Sequence, residues 1–562
     1  NASKVCTKTK KYVAKPCNWP YNKAAERSRN TMHRRSTMKI YTCLCLLFLA
    51  GYLVAQNNTS ALLPMPNQIT PVKGKPFTVR SGKTAIYLNQ PELQFTAKTL
   101  QTILQDRMQA KVPLASESGR ADIRLLVDPA MEGKEHYRIK ITSKGITISG
   151  ATAGAVYYGV MTMDQLLLGD ACATAHKEIS PIRIDDAPRF PHRALMLDPA
   201  RHFLPVNDVK FFIDQMARYK YNILQLHLTD DQGWRVEIKK HPKLVGKDYY
   251  TQEQLAEIIQ YAAQRNIEVI PELDIPGHTV AILAAYPELG CTHTDTLPKI
   301  VGKTTDLMLC ANNEKVYSVY QDIIKEISSL FPSDYIHLGG DEAVIEKNWT
   351  QCSRCQAMMK KLGYQKASQL MIPFFSRMLS FVQENNKTPI LWCELDNIYP
   401  PANDYLFPYP KNVTLVSWRG GLTPTCLELT RKHGNPLIMA PGEYAYLDYP
   451  QLKGDFPEFN NWGMPVTTLE KSYQFDPGYG VPAEDQAHIT GVMGTLWGEA
   501  IRDINRATYM AYPRAFALAE AGWTQMKFRN WESFKQRLYP NLTNLMKKGV
   551  SVRVPFEIAD KK

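Results

Sequence analysis

The chain lacks the patterns that mark several large function classes. No apolar run reaches the roughly 20 residues of a membrane-spanning helix; the longest candidate, Ile40 to Ala55, stops short. No Gly-rich phosphate loop of either common kind occurs, which argues against nucleotide binding on an open doubly wound sheet. Histidines number 12 in 562 residues, and none forms HExxH or His-x-His, so the usual zinc-hydrolase spacings are missing. The elbow motif of serine hydrolases is absent as well. A net charge of +13 would suit an anionic partner, but ten of the Lys and Arg lie within residues 1–37, against one acid, Glu26. The rest is nearly balanced, so nucleic acid is not expected as a partner.

The front end accounts for that imbalance. From Met38 the chain reads MKIYTCLCLLFLAGYLVAQ: one Lys, an apolar run, then polar residues. Residues 38–55 read as a secretory signal peptide cut after Ala55, and residues 1–37 as a basic upstream extension outside the mature protein. Export is expected: to the periplasm or medium if the source is bacterial, to a lysosome or the exterior if it is eukaryotic. No span is expected in the mature protein, and homodimerisation stays open.

Four of the eleven cysteines fall before residue 56, which leaves seven, an odd number. Cys291 and Cys310 flank a loop and are candidates for a disulfide. Cys352-Ser-Arg-Cys355 has metal or redox spacing, but a lone CxxC without a second pair is a weak signal. No metal and no cofactor are expected.

Two parts separate near Asp185-Asp186-Ala187-Pro188. Residues 56–188 alternate in short runs, such as ADIRLLVD and HYRIKIT, with two helical stretches near 95–110 and 153–168, which predicts a small α+β domain. Residues 189–545 repeat strand, loop and helix, and 546–562 form a tail. Eight strands are predicted: Ala194–Leu197, Ile223–His227, Glu268–Pro271, Tyr335–Leu338, Ile390–Trp392, Thr414–Ser417, Leu437–Met439 and Val492–Leu496. Between them, Val209, Phe212, Ile213 and Met216 form an apolar stripe, and Thr251-x-x-Gln254 fits a capping box. The fold class is therefore α/β, a (β/α)8 TIM barrel behind the small domain, with the open doubly wound sheet as runner-up.

Chemistry in such a barrel collects at the carboxyl ends of the strands. Asp198, Arg201 and His202 follow the first strand, and Asp230 and Asp231 the second. Glu272, Asp274 and His278 follow the third, and Asp341 and Glu342 the fourth. Trp392 and Glu394 mark the fifth strand, Trp418 and Arg419 the sixth, Glu443, Tyr446 and Asp448 the seventh, and Trp497 and Glu499 the eighth. Each residue alone has a bland reading as cap or core, but polar groups or Trp at the same end of eight strands do not. Carboxylates and Arg bind hydroxyls, and Trp faces stack on sugar rings, so the mixture points to glycoside hydrolysis. Adjacent carboxylates cannot easily flank one bond as acid and nucleophile, because successive side chains diverge. They do fit substrate assistance, in which one acid protonates the leaving oxygen and a second carboxylate holds the substrate's acetamido N–H.

HLGGDE at 337–342 resembles the signature of family 20 glycoside hydrolases, the β-N-acetylhexosaminidases. The similarity extends in order through LDPARHF (197–203), LHLTDDQGWR (226–235), PELDIPGH (271–278), YLD (446–448) and LWGE (496–499). The resemblance implies Glu342 as general acid and base, Asp341 as holder of the amide N–H, and Tyr446 as donor to the amide oxygen. It implies Trp392, Trp418 and Trp497 as walls, Arg201, Asp448 and Glu499 as binders of ring hydroxyls, and Asp230 and His278 as supports. The expected partners are glycans ending in β-GlcNAc or β-GalNAc. A disaccharide-releasing lacto-N-biosidase activity and a non-catalytic glycan binder are the alternatives. Two further expectations are a raised Glu342 pKa, with the Asp341 charge as one cause, and Cys393 at the outer wall of the pocket.

Overall fold

The computed structural model describes residues 59–170, 175–291, 307–393, 409–419, 421, 423–455, 463–478 and 481–558. The extension, the signal segment, Cys172 and Glu394 lie outside these.

The eight predicted strands form the barrel, most of them longer than the sequence pattern suggests. They are His192–Leu197, Ile223–Asp230, Glu268–Ile275, Tyr335–Gly339, Thr388–Trp392, Thr414–Ser417, Leu437–Met439 and Ile489–Leu496, called strands 1 to 8 below. Each pairs in parallel with the next, and strand 8 returns to strand 1 with Gly491 opposite His192 and Leu496 opposite Leu197. That closure removes the open-sheet alternative. Strands 1 and 2 are buried at every residue, as parallel strands covered on both faces require. A small apolar cluster including Met196, Ile270, Ile390, Val416, Ile438 and Met493 fills the barrel interior. Trp418 and Trp497 pack onto it.

The helices around the barrel are built as the stripes predict. Val209, Phe212, Ile213 and Met216 are the buried face of Val206–Arg218. Gln252–Ala263 starts with the Thr251–Gln254 capping box, both reciprocal bonds formed. The last helix, Trp531–Lys547, continues two residues into the expected tail. Within that tail Val550 is buried and Arg553 pairs with Asp455 at 2.7 Å, so the segment is packed.

Ahead of the barrel, a six-stranded mixed sheet carries helices Gln94–Met108 and Ala153–Gly169. The second helix is buried almost all round, since it lies between that sheet and the barrel. The contacts of this domain with the barrel are ionic as well as apolar. Arg193 of strand 1, fully buried, makes a two-pronged pair with Glu135 at 2.7 and 2.9 Å and reaches the Tyr158 hydroxyl at 3.2 Å. Asp164 accepts from Arg218 and Arg107. Removing one partner of a buried pair leaves the other charge uncompensated, so Glu135→Ala is expected to destabilise the protein by about 3 kcal/mol. Urea denaturation measures this, and an unchanged midpoint would mean that the pair holds nothing together.

Candidate active site

The two glycines before the acidic pair are a steric requirement. Gly339 (φ +64°) and Gly340 (φ +106°) both sit in conformations that L side chains rarely adopt. A Cβ on Gly339 would lie 1.7 Å from Asp274 Oδ1. That same oxygen accepts the Gly340 N–H at 3.2 Å, so strand 3 holds the turn directly. Beyond the turn, Asp341 and Glu342 part company. Asp341 is 6% exposed, while the Glu342 side chain keeps 48% of its surface. Glu342 itself has φ +47°, a strained value for a non-glycine residue and a frequent mark of functional positions.

A line of alternating charge supports the pair from below. Glu272, on strand 3 inside the barrel, lies 3.0 Å from His227 Nδ1 and accepts from Gln225 and from the Trp392 indole N–H, each at 2.8 Å. His227 Nε2 meets Asp230 at 2.7 Å. Asp230 then meets His278 Nδ1 at 3.2 Å, and His278 Nε2 faces Glu342 at 3.6 Å and Asp341 at 3.9 Å. Burial works against charge on His227 and His278, but the carboxylates on either side outweigh it and raise both imidazoles well above their usual range. His337 behaves oppositely. Burial lowers it to about 4, and its Nδ1 accepts the Gly339 N–H at 2.9 Å, as a neutral ring can.

Sequence reasoning placed Glu272 and Asp274 after strand 3 and Asp230 after strand 2, yet all three lie within their strands. A barrel interior admits such charges where opposite charges are already in place. His227 was missed as a site residue; its signal was a His two positions after Gln225 and three before Asp230, on a buried strand.

Arg201 closes the other side. Its guanidinium, 7% exposed, meets Asp198 at 2.7 Å, Asp230 at 3.0 Å and Glu499 at 3.2 Å, and stacks over Trp497 with its carbon 5.0 Å from the ring centre. Asp448 is buried nearby; burial first, then Glu499, pushes it up to about 8. The aromatic groups form a continuous wall. Trp392 and Trp497 lie 5.6 Å apart, Trp497 and Tyr446 6.1 Å, and Tyr446 and Trp418 are stacked within 8° of parallel at 6.4 Å. Every residue to which the family resemblance assigns a role thus falls within one constellation. Among the buried polar atoms in it that have no hydrogen-bond partner of proper geometry among the described residues are Asp341 Oδ1, the Tyr446 hydroxyl, Trp418 Nε1 and Asp448 Oδ1. Groups of this kind are costly to leave unpaired and commonly mark a ligand position.

Three expectations need correction. The Glu342 carboxyl is held below its ordinary range. The His278 imidazolium beside it dominates, and Arg419, 3.1 Å away, and Arg201 add to it against the effect of burial. The raised member is Asp341, pushed up to about 6 by burial, with Glu342 and Glu272 behind it and His278 opposing. The strand-end pattern could not show which carboxylate would be buried. Cys393, expected at the pocket wall, is instead buried in the main core and disulfide-bonded to Cys426 on helix Thr423–His433. Cys291 and Cys310 form no disulfide.

The Asp341 shift has a stability consequence. A carboxyl whose folded pKa is raised binds its proton more tightly when folded, so stability falls as pH rises from about 4 through about 6. Asp341→Asn removes that cost. It is expected to be more stable than wild type by about 1–3 kcal/mol above pH 6, with the gap closing towards pH 4. Melting temperatures of both proteins across that range check it; a gap independent of pH would disprove the assignment.

A parallel barrel whose mouth combines a divided carboxylate pair with an aromatic wall and a hydroxyl-binding Arg cluster defines a glycoside hydrolase. The catalytic-domain model of glycosyl hydrolase family 20 matches residues 190–526, and the model of that family's domain 2 matches residues 59–187. The chain belongs to glycosyl hydrolase family 20 and is an enzyme of the β-N-acetylhexosaminidase type. It is 37% identical over 461 residues to a β-hexosaminidase of Akkermansia muciniphila, covering 78% of this chain and 90% of that one. A mutant Streptomyces plicatus β-hexosaminidase solved with the product GlcNAc superposes with a TM-score of 0.75 at 30% identity, over 89% of this chain and 97% of that one. A β-N-acetylhexosaminidase from Bacteroides fragilis gives 0.75 at 27% identity, over 89% and 99%.

Proposed function

We propose that the enzyme removes single terminal β-linked GlcNAc or GalNAc residues, with retention, by substrate-assisted catalysis. The observation that carries this reading is the division of the pair: a buried Asp341 with an unpaired oxygen beside a half-exposed Glu342. The substrate acetamido N–H donates to Asp341 Oδ1, and the Tyr446 hydroxyl donates to the acetamido oxygen. That oxygen attacks the anomeric carbon as the bond to the leaving oxygen breaks, and Glu342 gives that oxygen its proton. Asp341 stabilises the positive charge on the resulting oxazolinium ring. Glu342 then takes a proton from water, which attacks the anomeric carbon, reopens the ring and restores the starting configuration. Arg201, Asp448 and Glu499 bind the ring hydroxyls and end the pocket after one sugar, while Trp392, Trp418 and Trp497 enclose it.

The pair titrates as a unit, so one shared proton can sit on either member. In the free site it favours Asp341. An amide N–H at Asp341 stabilises the anion there and moves the proton to Glu342, where the acid is needed. Activity is therefore expected to fall on both sides of the singly protonated state. A wild-type kcat/KM profile that does not fall as pH rises through about 6 would contradict this reading. The direct test is release of nitrophenol from the β-GlcNAc and β-GalNAc glycosides, with the anomer formed first identified by NMR. Inhibition by a thiazoline mimic of the cyclised intermediate separates substrate assistance from an enzymic nucleophile. Cleavage of neither glycoside by folded protein would favour a disaccharide-releasing enzyme. Export through residues 38–55 suits an enzyme acting on external glycans; amino-terminal sequencing of exported protein, expected to begin at Gln56, tests it.

A further inference from the structure

The second cysteine pair that a metal site needs comes from a different loop. Cys291 and Cys310 belong to the loop after strand 3; Cys352 and Cys355 belong to the loop after strand 4 and the start of helix Ser353–Leu362. The fold brings all four sulfurs within 4.8 Å of one another. Cys310 Sγ lies 3.6 Å from Cys355 and 3.9 Å from Cys352, and Cys291 Sγ lies 3.8 Å from Cys355. Cys310, Cys352 and Cys355 are buried, and Cys291 is partly so. A zinc–sulfur bond of about 2.3 Å in a tetrahedron places neighbouring sulfurs about 3.8 Å apart. Cys310 and Cys355 each have two sulfur neighbours near that separation, and all four sulfurs are mutually within 4.8 Å, a grouping that tetrahedral ligation explains and a disulfide, which joins only two sulfurs, does not.

We propose that Cys291, Cys310, Cys352 and Cys355 form a tetrathiolate site for one structural zinc ion that fastens the loop after strand 3 to the loop after strand 4. The surroundings suit that task. Cys352 is the N-cap of its helix, where the helix dipole favours negative charge. The loops are already stitched together around the cluster: Arg354 donates to the Gly290 carbonyl at 2.6 Å, Asn312 to the Arg354 carbonyl at 2.7 Å, and the Trp349 indole to the Leu309 carbonyl at 2.8 Å. The site also lies behind the chemistry. The Leu309 N–H donates to the Pro276 carbonyl at 3.0 Å, two residues before His278. A Cβ on Gly277 would meet the Ala343 Cα at 3.1 Å, so the backbones beside His278 and Glu342 touch. The zinc ligands are positioning residues: they would hold the two catalytic loops in register without touching substrate.

The test uses the full chain, purified without chelator after export. Elemental analysis is expected to find about one zinc per chain. A mercurial is expected to release that zinc into a colorimetric chelator. Alkylation after denaturation in chelator should label Cys291, Cys310, Cys352 and Cys355 but not Cys393 or Cys426. Cys355→Ser is expected to lose the metal and melt at a lower temperature, with kcat reduced and KM little changed. If that variant does not fold, the zinc content and cysteine map of the wild type decide alone. Only traces of zinc, with peptide mapping that shows the four cysteines joined in two disulfides or freely reactive in the native protein, would overturn the proposal. So would iron in place of zinc.

Discussion

Glu342→Gln is expected to lower kcat/KM on a natural glycan by about 10^3-fold or more, within the usual range for a lost general acid and base. The amide cannot protonate the leaving oxygen in the first half of the reaction, nor take the proton of water in the second. The defect should depend on the aglycone. Nitrophenolate leaves without much help, so bond cleavage suffers less with the nitrophenyl glycoside than with a sugar leaving group, while the hydrolytic step stays slow with both. Asp341→Asn should cost a similar factor for a different reason. It removes the charge that stabilises the cationic ring, a contribution of about 10^2–10^3 for one preorganised group, and its loss should be equal for good and poor leaving groups. Dependence on the leaving group in Glu342→Gln and its absence in Asp341→Asn is the signature of the division of labour. If both variants lose activity equally on every aglycone, the roles assigned from burial and exposure are wrong. The same Asp341→Asn protein should be the more stable one at neutral pH, so a fall in activity there cannot be put down to unfolding.

Arg201→Met is expected to give the largest combined loss of stability and activity among the hydroxyl-binding residues. Its guanidinium serves three carboxylates at 2.7–3.2 Å, two of them, Asp198 and Asp230, fully buried. Breaking such a cluster from one side costs about 3–5 kcal/mol, because the remaining charges stay buried without compensation. The effect should also reach the catalytic pair. Asp230 keeps His278 charged, and Arg201 is one of the cations that keep Asp230 ionised. Without Arg201, Asp230 gains affinity for a proton, His278 loses charge, and the pH profile of the residual activity should shift. Arg201→Lys should recover only part of the stability, since an ammonium group cannot span three carboxylates as the planar fork does. Urea denaturation and pH–rate measurements read both effects. An unchanged midpoint in Arg201→Met would mean that the cluster is neutralised by protonation rather than by Arg201.

Local features were readable from the chain because local physics sets them. The stripe of Val209, Phe212, Ile213 and Met216 and the Thr251–Gln254 capping box need only helical periodicity and near neighbours. The barrel followed from the alternation of strand and helix, and the site residues from the polar groups that end eight apolar runs. Strand ends were less legible where charge continues into the barrel. Glu272 and Asp274 looked like loop residues because a charge inside a barrel is tolerated only with partners, and those partners, among them His227 and Gln225, come from another strand.

The sequence by itself determined the fold class, the family and the identity of the groups that meet at the barrel mouth, since spacing along the chain encodes which residues follow each strand. Only the tertiary structure decided what state those groups are in. It buried Asp341 and exposed Glu342, and it set His278 and Arg419 beside the acid, which reversed the expected direction of the Glu342 pKa. It carried Cys393 away from the pocket to Cys426 and drew two cysteine pairs from neighbouring loops into one cluster. Burial, charge proximity and sulfur geometry depend on distances between residues far apart in the chain, and those distances exist only once the barrel has closed.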